Sequence, residues 1–248
     1  MTISSNQLIA YAMKYDGEFH AIKQAIHKHE PYIIHHGIQA ITILDALYPS
    51  ECKALDQPPW VLFYQGNIEL LKQKKMAIIG SRTPNHYGVI QTIQLVETIK
   101  SKAVIVSGLA RGIDRIAHLH AMQVSHTIGV LGCGINRIYP FDNQDLYVKM
   151  RHDQLIISEY PNQAVPYPSR FVARNRIIAA LSDPIFVMAA TIKSGTLITV
   201  DYGLALNKDI VALPYHNDES IGEGCNLLIA AGAHILTNPK DLFIIERS

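Results

Sequence analysis

The chain is poor in cysteine and in charge. Its three cysteines, Cys52, Cys133 and Cys225, are far apart and form no CxxC pair. That excludes a disulfide framework and a zinc ribbon, and points to a reducing cytoplasm. Only 17% of the residues are charged, 22 Lys+Arg against 21 Asp+Glu, for a formal charge of +1. Wholesale disorder and a polybasic tail are therefore excluded, and any attraction for nucleic acid must come from locally concentrated charge. No run approaches about 18 consecutive apolar residues, and the start lacks a basic region followed by an apolar one, so neither a membrane span nor a signal peptide is expected. What is present is 48% hydrophobic residues in 248, enough for one large domain or a main domain with a small companion.

Residues 1–40 are polar and helix-prone and read as a short helical N-terminal segment. His27, His29, His35 and His36 lie there without any accompanying carboxylate or thiolate spacing, so they read as surface or interface histidines and no metal is assigned. Residues 40–71 are rich in loops, and the apolar run 60–64 is expected to be a sheet-edge strand. Beyond Lys75 come short continuous apolar runs at 76–79, 103–106, 127–131, 155–157, 184–188 and 209–213, the pattern of strands buried on both faces. Helical spacing separates them, as in Val89, Ile93, Val96 and Ile99. The fold expected is α/β, a Rossmann-like, doubly wound and mostly parallel sheet with helices on both faces, occupying residues 41–248.

In such a sheet, ligands bind where strands give way to helix N-termini. Four turns there carry small residues beside a cation. Gly80-Ser81-Arg82 follows the first run and Ser107-Gly108-Leu109-Ala110-Arg111-Gly112 the second. The segment from Ser169 to Arg176 holds Arg170, Arg174 and Arg176 around Phe171 and Asn175, with no acid before Asp183, and Lys193-Ser194-Gly195-Thr196 opens the last long helix. Arginine beside an aromatic suits a single-stranded nucleic acid, with phosphates on guanidinium and a base on the ring. Taken singly, a Gly-Ser turn is as well explained by helix capping, and Arg174 or Arg176 by half of an ion pair. Four turns on one rim make a polyanion groove the better reading.

Other chemistries fit less well. Gly132-Cys133-Gly134 has Arg137 where a dinucleotide fingerprint needs glycine, and Lys-Ser-Gly-Thr is not the P-loop order, so no cofactor is expected. Asp114 and His118, one helical turn apart, read as a hydrogen bond anchoring a helix start. Cys133 has no partner base and reads as a small buried hydrophobe.

Together with Tyr139-Pro140, Ser158-Glu159-Tyr160, Arg174-Asn175-Arg176-Ile177-Ile178-Ala179, Ser194-Gly195-Thr196-Leu197-Ile198-Thr199 and Gly224-Cys225-Asn226-Leu227-Leu228-Ile229, these turns resemble the DNA-processing protein A (DprA, also called Smf) family over residues 41–243. The resemblance implies a non-catalytic protein that binds single-stranded DNA, protects it during natural transformation and loads the recombinase RecA onto it. It implies a DNA pocket of Arg82, Arg111, Phe171, Arg174, Asn175 and Lys193, with Gly80, Ser81, Ser107, Gly108, Ser194 and Gly195 supplying backbone and hydroxyl contacts. It also implies a homodimer and recombinase surface toward the C-terminal part, at Asn226, Leu228, Ile229, Ile235 and Leu236.

The chain departs from the family pattern at Val172, where proline is usual, at Ala189 for glutamate and at Tyr215 for glycine. With its end at Ser248, no appended winged-helix domain is expected. The rival reading is an enzyme of the lysine-decarboxylase-like phosphoribohydrolases, whose glycine-threonine motif carries a glutamate shortly after the threonine for acid–base work. Here Thr199 stands in that place and Asp201 falls on another face of the helix.

Overall fold

The computed structural model describes residues 3–238. Two helices, α1 (Ser5–Lys14) and α2 (Phe19–His27), precede β1 (Ala40–Thr42), the short α3 (Ser50–Lys53) and β2 (Val61–Gly66). Then strands and helices alternate: β3 (Lys75–Ile79), α4 (His86–Ile99), β4 (Val104–Gly108), α5 (Ile113–Val124), β5 (Thr127–Leu131), α6 (Gln144–Asp153), β6 (Leu155–Ser158), α7 (Pro168–Leu181), β7 (Ile185–Val187), α8 (Gly195–Ala205), β8 (Ile210–Ala212), α9 (Glu223–Ala230) and β9 (His234–Ile235). Met1, Thr2 and the last stretch of the expected main unit, 239–248, lie outside the described residues.

The strands form one sheet in the order β1-β2-β6-β5-β4-β3-β7-β8-β9. From β6 to β9 every neighbouring pair is parallel, while β1–β2 and β2–β6 are antiparallel. The Rossmann-like architecture read from the sequence is the one observed. Residues of β3, β4, β5 and β6 are buried throughout, as a strand covered on both faces requires. Side chains alternate between two cores: Leu155 and Ile157 join the larger one, Ile156 the other.

The run expected at the sheet edge is not there. β2 lies between β1 and β6, and Val61, Leu62 and Phe63 are buried, so its continuous apolar character marks cover on both faces, with the three-residue β1 forming the edge. The second core also contains Leu8, Tyr11, Ile22 and Ala25: α1 and α2 form one layer against the sheet. None of the helices among the described residues is long and apolar enough to cross a membrane.

Candidate functional site

Strand order reverses between β3 and β7, with β4 to β6 continuing on one side and β8 and β9 on the other. Helices α4 and α5 pack together, as do α7 and α8, so the chain leaves these adjacent strands toward different helix pairs and a crevice opens at their carboxyl ends. The turns after β3, β4 and β7 and one flank of α7 wall a cleft of about 590 Å³. A recess of about 370 Å³ adjoins it, sharing Arg82, Tyr139, Phe171 and Arg174. A larger hollow of about 930 Å³ lies at the opposite rim, where Lys72, Lys74, Lys75 and Lys208 stand among Glu51, Asp183 and Asp209. That rim holds the amino ends of the parallel strands, not the starts of the helices that follow them, and three carboxylates there oppose its four lysines.

Arg174 forms the floor of the cleft. It is 6% exposed, its Nη1 donates to the carbonyl of Val130 at 2.9 Å, and its buried Nε has no hydrogen-bond partner. Burial pushes its pKa below the usual guanidinium value, while the nearby Asp114 carboxyl opposes that shift. Asp114 is itself buried and its pKa is raised, chiefly by desolvation, which weakens it as a counter-charge. Since an ionised side chain withdrawn from water needs a partner, this guanidinium is a place for an anion. Ser107 and Gly108 lie beneath it. Ser107 donates its hydroxyl to the carbonyl of Ile78 at 2.6 Å, so its role is to hold β4 against β3.

Arg82 stands exposed on the rim. Its turn is held by Ser81, whose N–H donates to Ala189 and whose carbonyl accepts from Ile113. Gly112, at φ 73°, passes so close to Ser81 and Arg82 that a side chain would collide with their backbone, a conformation and approach suited to glycine. Phe171 is half-buried, with its ring centroid 5.3 Å from that of Tyr139 at 33°. At the far wall, Ser194, whose buried hydroxyl has no partner, is the residue before α8, and Gly195, which has open space above it, begins the helix. Asn175 Nδ2 donates to the Gly195 carbonyl at 3.4 Å. The unpaired N–H groups of a helix start favour an anion here.

The structure thus brings Gly80, Ser81, Arg82, Phe171, Arg174, Asn175, Ser194 and Gly195 to one cleft. Arg111 lines the recess and is ion-paired with Asp142, both well exposed. Lys193 is exposed beside Ser194.

Arg176 is a correction. It is buried on the other flank of α7, where Nη1 and Nη2 donate to the two carboxylate oxygens of Glu159 at 2.9 and 2.6 Å. Arg170 likewise faces Asp16 and Glu18 at 3.4 and 3.8 Å and lies over the Tyr160 ring. The run of arginines without a nearby acid in sequence is therefore largely neutralised in space.

The C-terminal surface also needs revision. Leu236 is buried, Leu228 and Ile229 pack against the main core, and Asn226 bonds both backbone groups of Tyr215. On this stretch it is Leu227 and Ile235 that stand half exposed.

Tyr139 and Thr83 line both compartments, yet neither was a candidate from the sequence. The Tyr139-Pro140 motif is the available signal, but its pairing with Phe171 joins the loop after β5 to α7 and shows only in the folded chain. Asp114 and His118 do not bond each other as expected. His118 Nε2 donates to the Gly108 carbonyl and Nδ1 lies 2.7 Å from Thr127 Oγ1, with burial lowering its pKa to about 4. Cys133 is buried and its thiol is pushed up to about 11. Thr199 is buried on α8, while Asp201 is exposed.

Residues 39–246 match the profile of DNA recombination-mediator protein A. DNA processing protein DprA of Streptococcus pneumoniae is 37% identical over 204 residues, covering 82% of this chain and 72% of that protein. Protein Smf of Synechocystis is 39% identical over 210 residues, 82% of this chain and 53% of that protein. The X-ray structure of the pneumococcal protein superposes with a TM-score of 0.82 at 30% identity, covering 97% of this chain and 93% of that one. DNA processing protein A from Helicobacter pylori, whose structure describes its single-stranded DNA binding mode, gives 0.77 at 34% identity, covering 85% and 96%. The chain belongs to the DNA recombination-mediator protein A family, the proteins called DprA and Smf.

Proposed function

We propose that the cleft at the strand-order reversal binds single-stranded DNA, and that the protein protects incoming strands and hands them to the RecA recombinase without catalysing a reaction on them. The observation that carries this reading is the buried Arg174 guanidinium, without an ion pair among the described residues, beside the paired rings of Phe171 and Tyr139. A charge on the floor and aromatic faces on the wall are what a polynucleotide offers partners to: phosphate for one, unstacked base for the other. Arg82, Lys193, Asn175, Ser194 and Gly195 supply the remaining phosphate contacts, and Arg111 joins when its exposed pair with Asp142 exchanges for a phosphate.

The absence of chemistry is supported by the side chains that would perform it. His118 is enclosed and its pKa is lowered, Cys133 is a buried thiol, and Thr199 replaces the glutamate of the phosphoribohydrolase motif. We place the RecA and homodimer contacts on α9 and β9, around Leu227 and Ile235, and take residues 1–40 as a helical layer attached to the 41–248 unit, working in the cytoplasm. The test is a gel shift with single- and double-stranded oligonucleotides of equal length. Preference for the single strand is expected; equal binding would reduce the cleft to general basic adhesion. Release of free base from a nucleoside monophosphate, lost in Asp201→Asn, would establish the enzyme instead.

A further inference from the structure

The cleft has two ends, and they differ in charge. Next to the Arg82 turn, Asn85 caps α4 and its Nδ2 donates to Glu219 at 2.5 Å, which brings to that end the loop bearing Glu219 and Asp218, the latter paired with His216, and Glu223 at the start of α9. A phosphodiester leaving there meets carboxylates. The other way out crosses α7. Val172, Arg174 and Asn175 wall the cleft, while Ala173 and Arg176 line a second hollow of about 370 Å³ that reaches Phe19 and His20. Of the carboxylates in that hollow, Glu18 and Glu159 face Arg170 and Arg176, leaving Asp56 at its margin. From His20 a shallow depression continues along α2 past Lys23, Gln24, His27 and Lys28, all exposed. The nearby acids are committed, Asp16 and Glu18 to Arg170 and Glu30 to Lys14. Neither Lys23 nor Lys28 makes an ion pair of 4 Å or less among the described residues, and the carboxylate whose charge acts on Lys28 is Glu30, which Lys14 already holds at 2.8 Å.

We propose that the outer face of α2 is a second polyanion contact, taking the phosphates of a single strand that leaves the cleft across α7. This rests on the cleft being the strand's primary site. The cations lie beyond a second hollow on the other flank of α7, which meets the α2 depression at His20, and the opposite end carries carboxylates, so electrostatics gives the strand a direction as well as a place.

The experiment measures binding of the intact chain to oligonucleotides of about 5 and about 16 nucleotides across a salt series. For Lys23→Ala/Lys28→Ala the long oligonucleotide is expected to bind several-fold more weakly, with a slope of log K against log salt shallower by about 1.4, two single-strand phosphates' worth. The short one should bind as in wild type. Lys72→Ala/Lys208→Ala, at the opposite rim, should change neither. An unchanged slope with the long oligonucleotide, or an equal loss with both lengths, would overturn the proposal. If wild type fails to bind even the short oligonucleotide, the primary cleft falls and this surface with it.

Discussion

Arg174 occupies the space that a side chain at position 108 would fill: a Cβ built on Gly108 collides with the guanidinium. Glycine at the end of β4 is thus what allows the floor cation to lie flat under the cleft, and the two positions act as one unit. Gly108→Ala should displace Arg174 and weaken single-strand binding by about 1.5–3 kcal/mol, the range of a hydrogen bond to a charged group. Fluorescence anisotropy measures it. Because both changes remove the same interaction, Gly108→Ala/Arg174→Ala should be no worse than Arg174→Ala alone; additive losses would show that the two residues act separately.

Arg82 and Phe171 should fail in different ways. With about four phosphates neutralised in the cleft, the salt slope of the wild type with the short oligonucleotide should be near −3, and Arg82→Ala should make it shallower by about 0.7. Phe171→Ala should leave the slope alone and weaken binding by about 1–3 kcal/mol. A slope unmoved by Arg82→Ala would remove that residue from the track.

Arg176 and Glu159 make a prediction of the opposite kind. Each is buried and meets the other through two hydrogen bonds, so Arg176→Met or Glu159→Gln, which strands one partner, should lower unfolding stability by about 3–5 kcal/mol in urea titration. Binding by the folded fraction should keep its salt slope. A slope reduced as in Arg82→Ala would return Arg176 to the cleft.

His118 gives the stability a pH dependence. Its folded pKa of about 4 lies below the ordinary 6.5, so between those values the unfolded chain binds a proton that the folded chain does not, and stability falls as the solution is acidified. The contribution is present in full above about pH 6.5 and gone below about pH 4. Between about pH 7 and about pH 5 it amounts to about 2 kcal/mol. Urea midpoints of wild type and His118→Gln at the two pH values isolate it: the substituted protein should lose less on acidification, and parallel losses would refute the assignment.

The parts of the fold that show in the sequence are those determined by local pattern. Continuous apolar runs between amphipathic segments identified the strands from β3 to β8, because a parallel strand covered on both faces leaves no polar alternation. The same rule should have placed Val61, Leu62 and Phe63 in the sheet interior. The sequence hides this because β1, the actual edge, is three residues long and carries almost no signal. In the site, the glycine-containing turns were legible, since helix starts announce themselves locally. Charge compensation was not. Glu159 is 17 residues from Arg176, and Asp16 lies 154 residues from Arg170, so only the folded chain reveals that these guanidinium groups are already occupied. Tyr139 escapes the sequence for the same reason: its partner Phe171 stands on a different element, α7, and the two rings meet only in the fold.

Because β3 and β7 send their chains to different helix pairs, the crevice between them has walls and a floor but no roof: Arg82, Thr83 and Gly195 all face solvent. A polynucleotide can therefore settle into it sideways, at any point along its length, without a terminus to thread. Covalently closed circles should be held as readily as linear molecules, and a strand already engaged at both extremities would still be accessible in its middle.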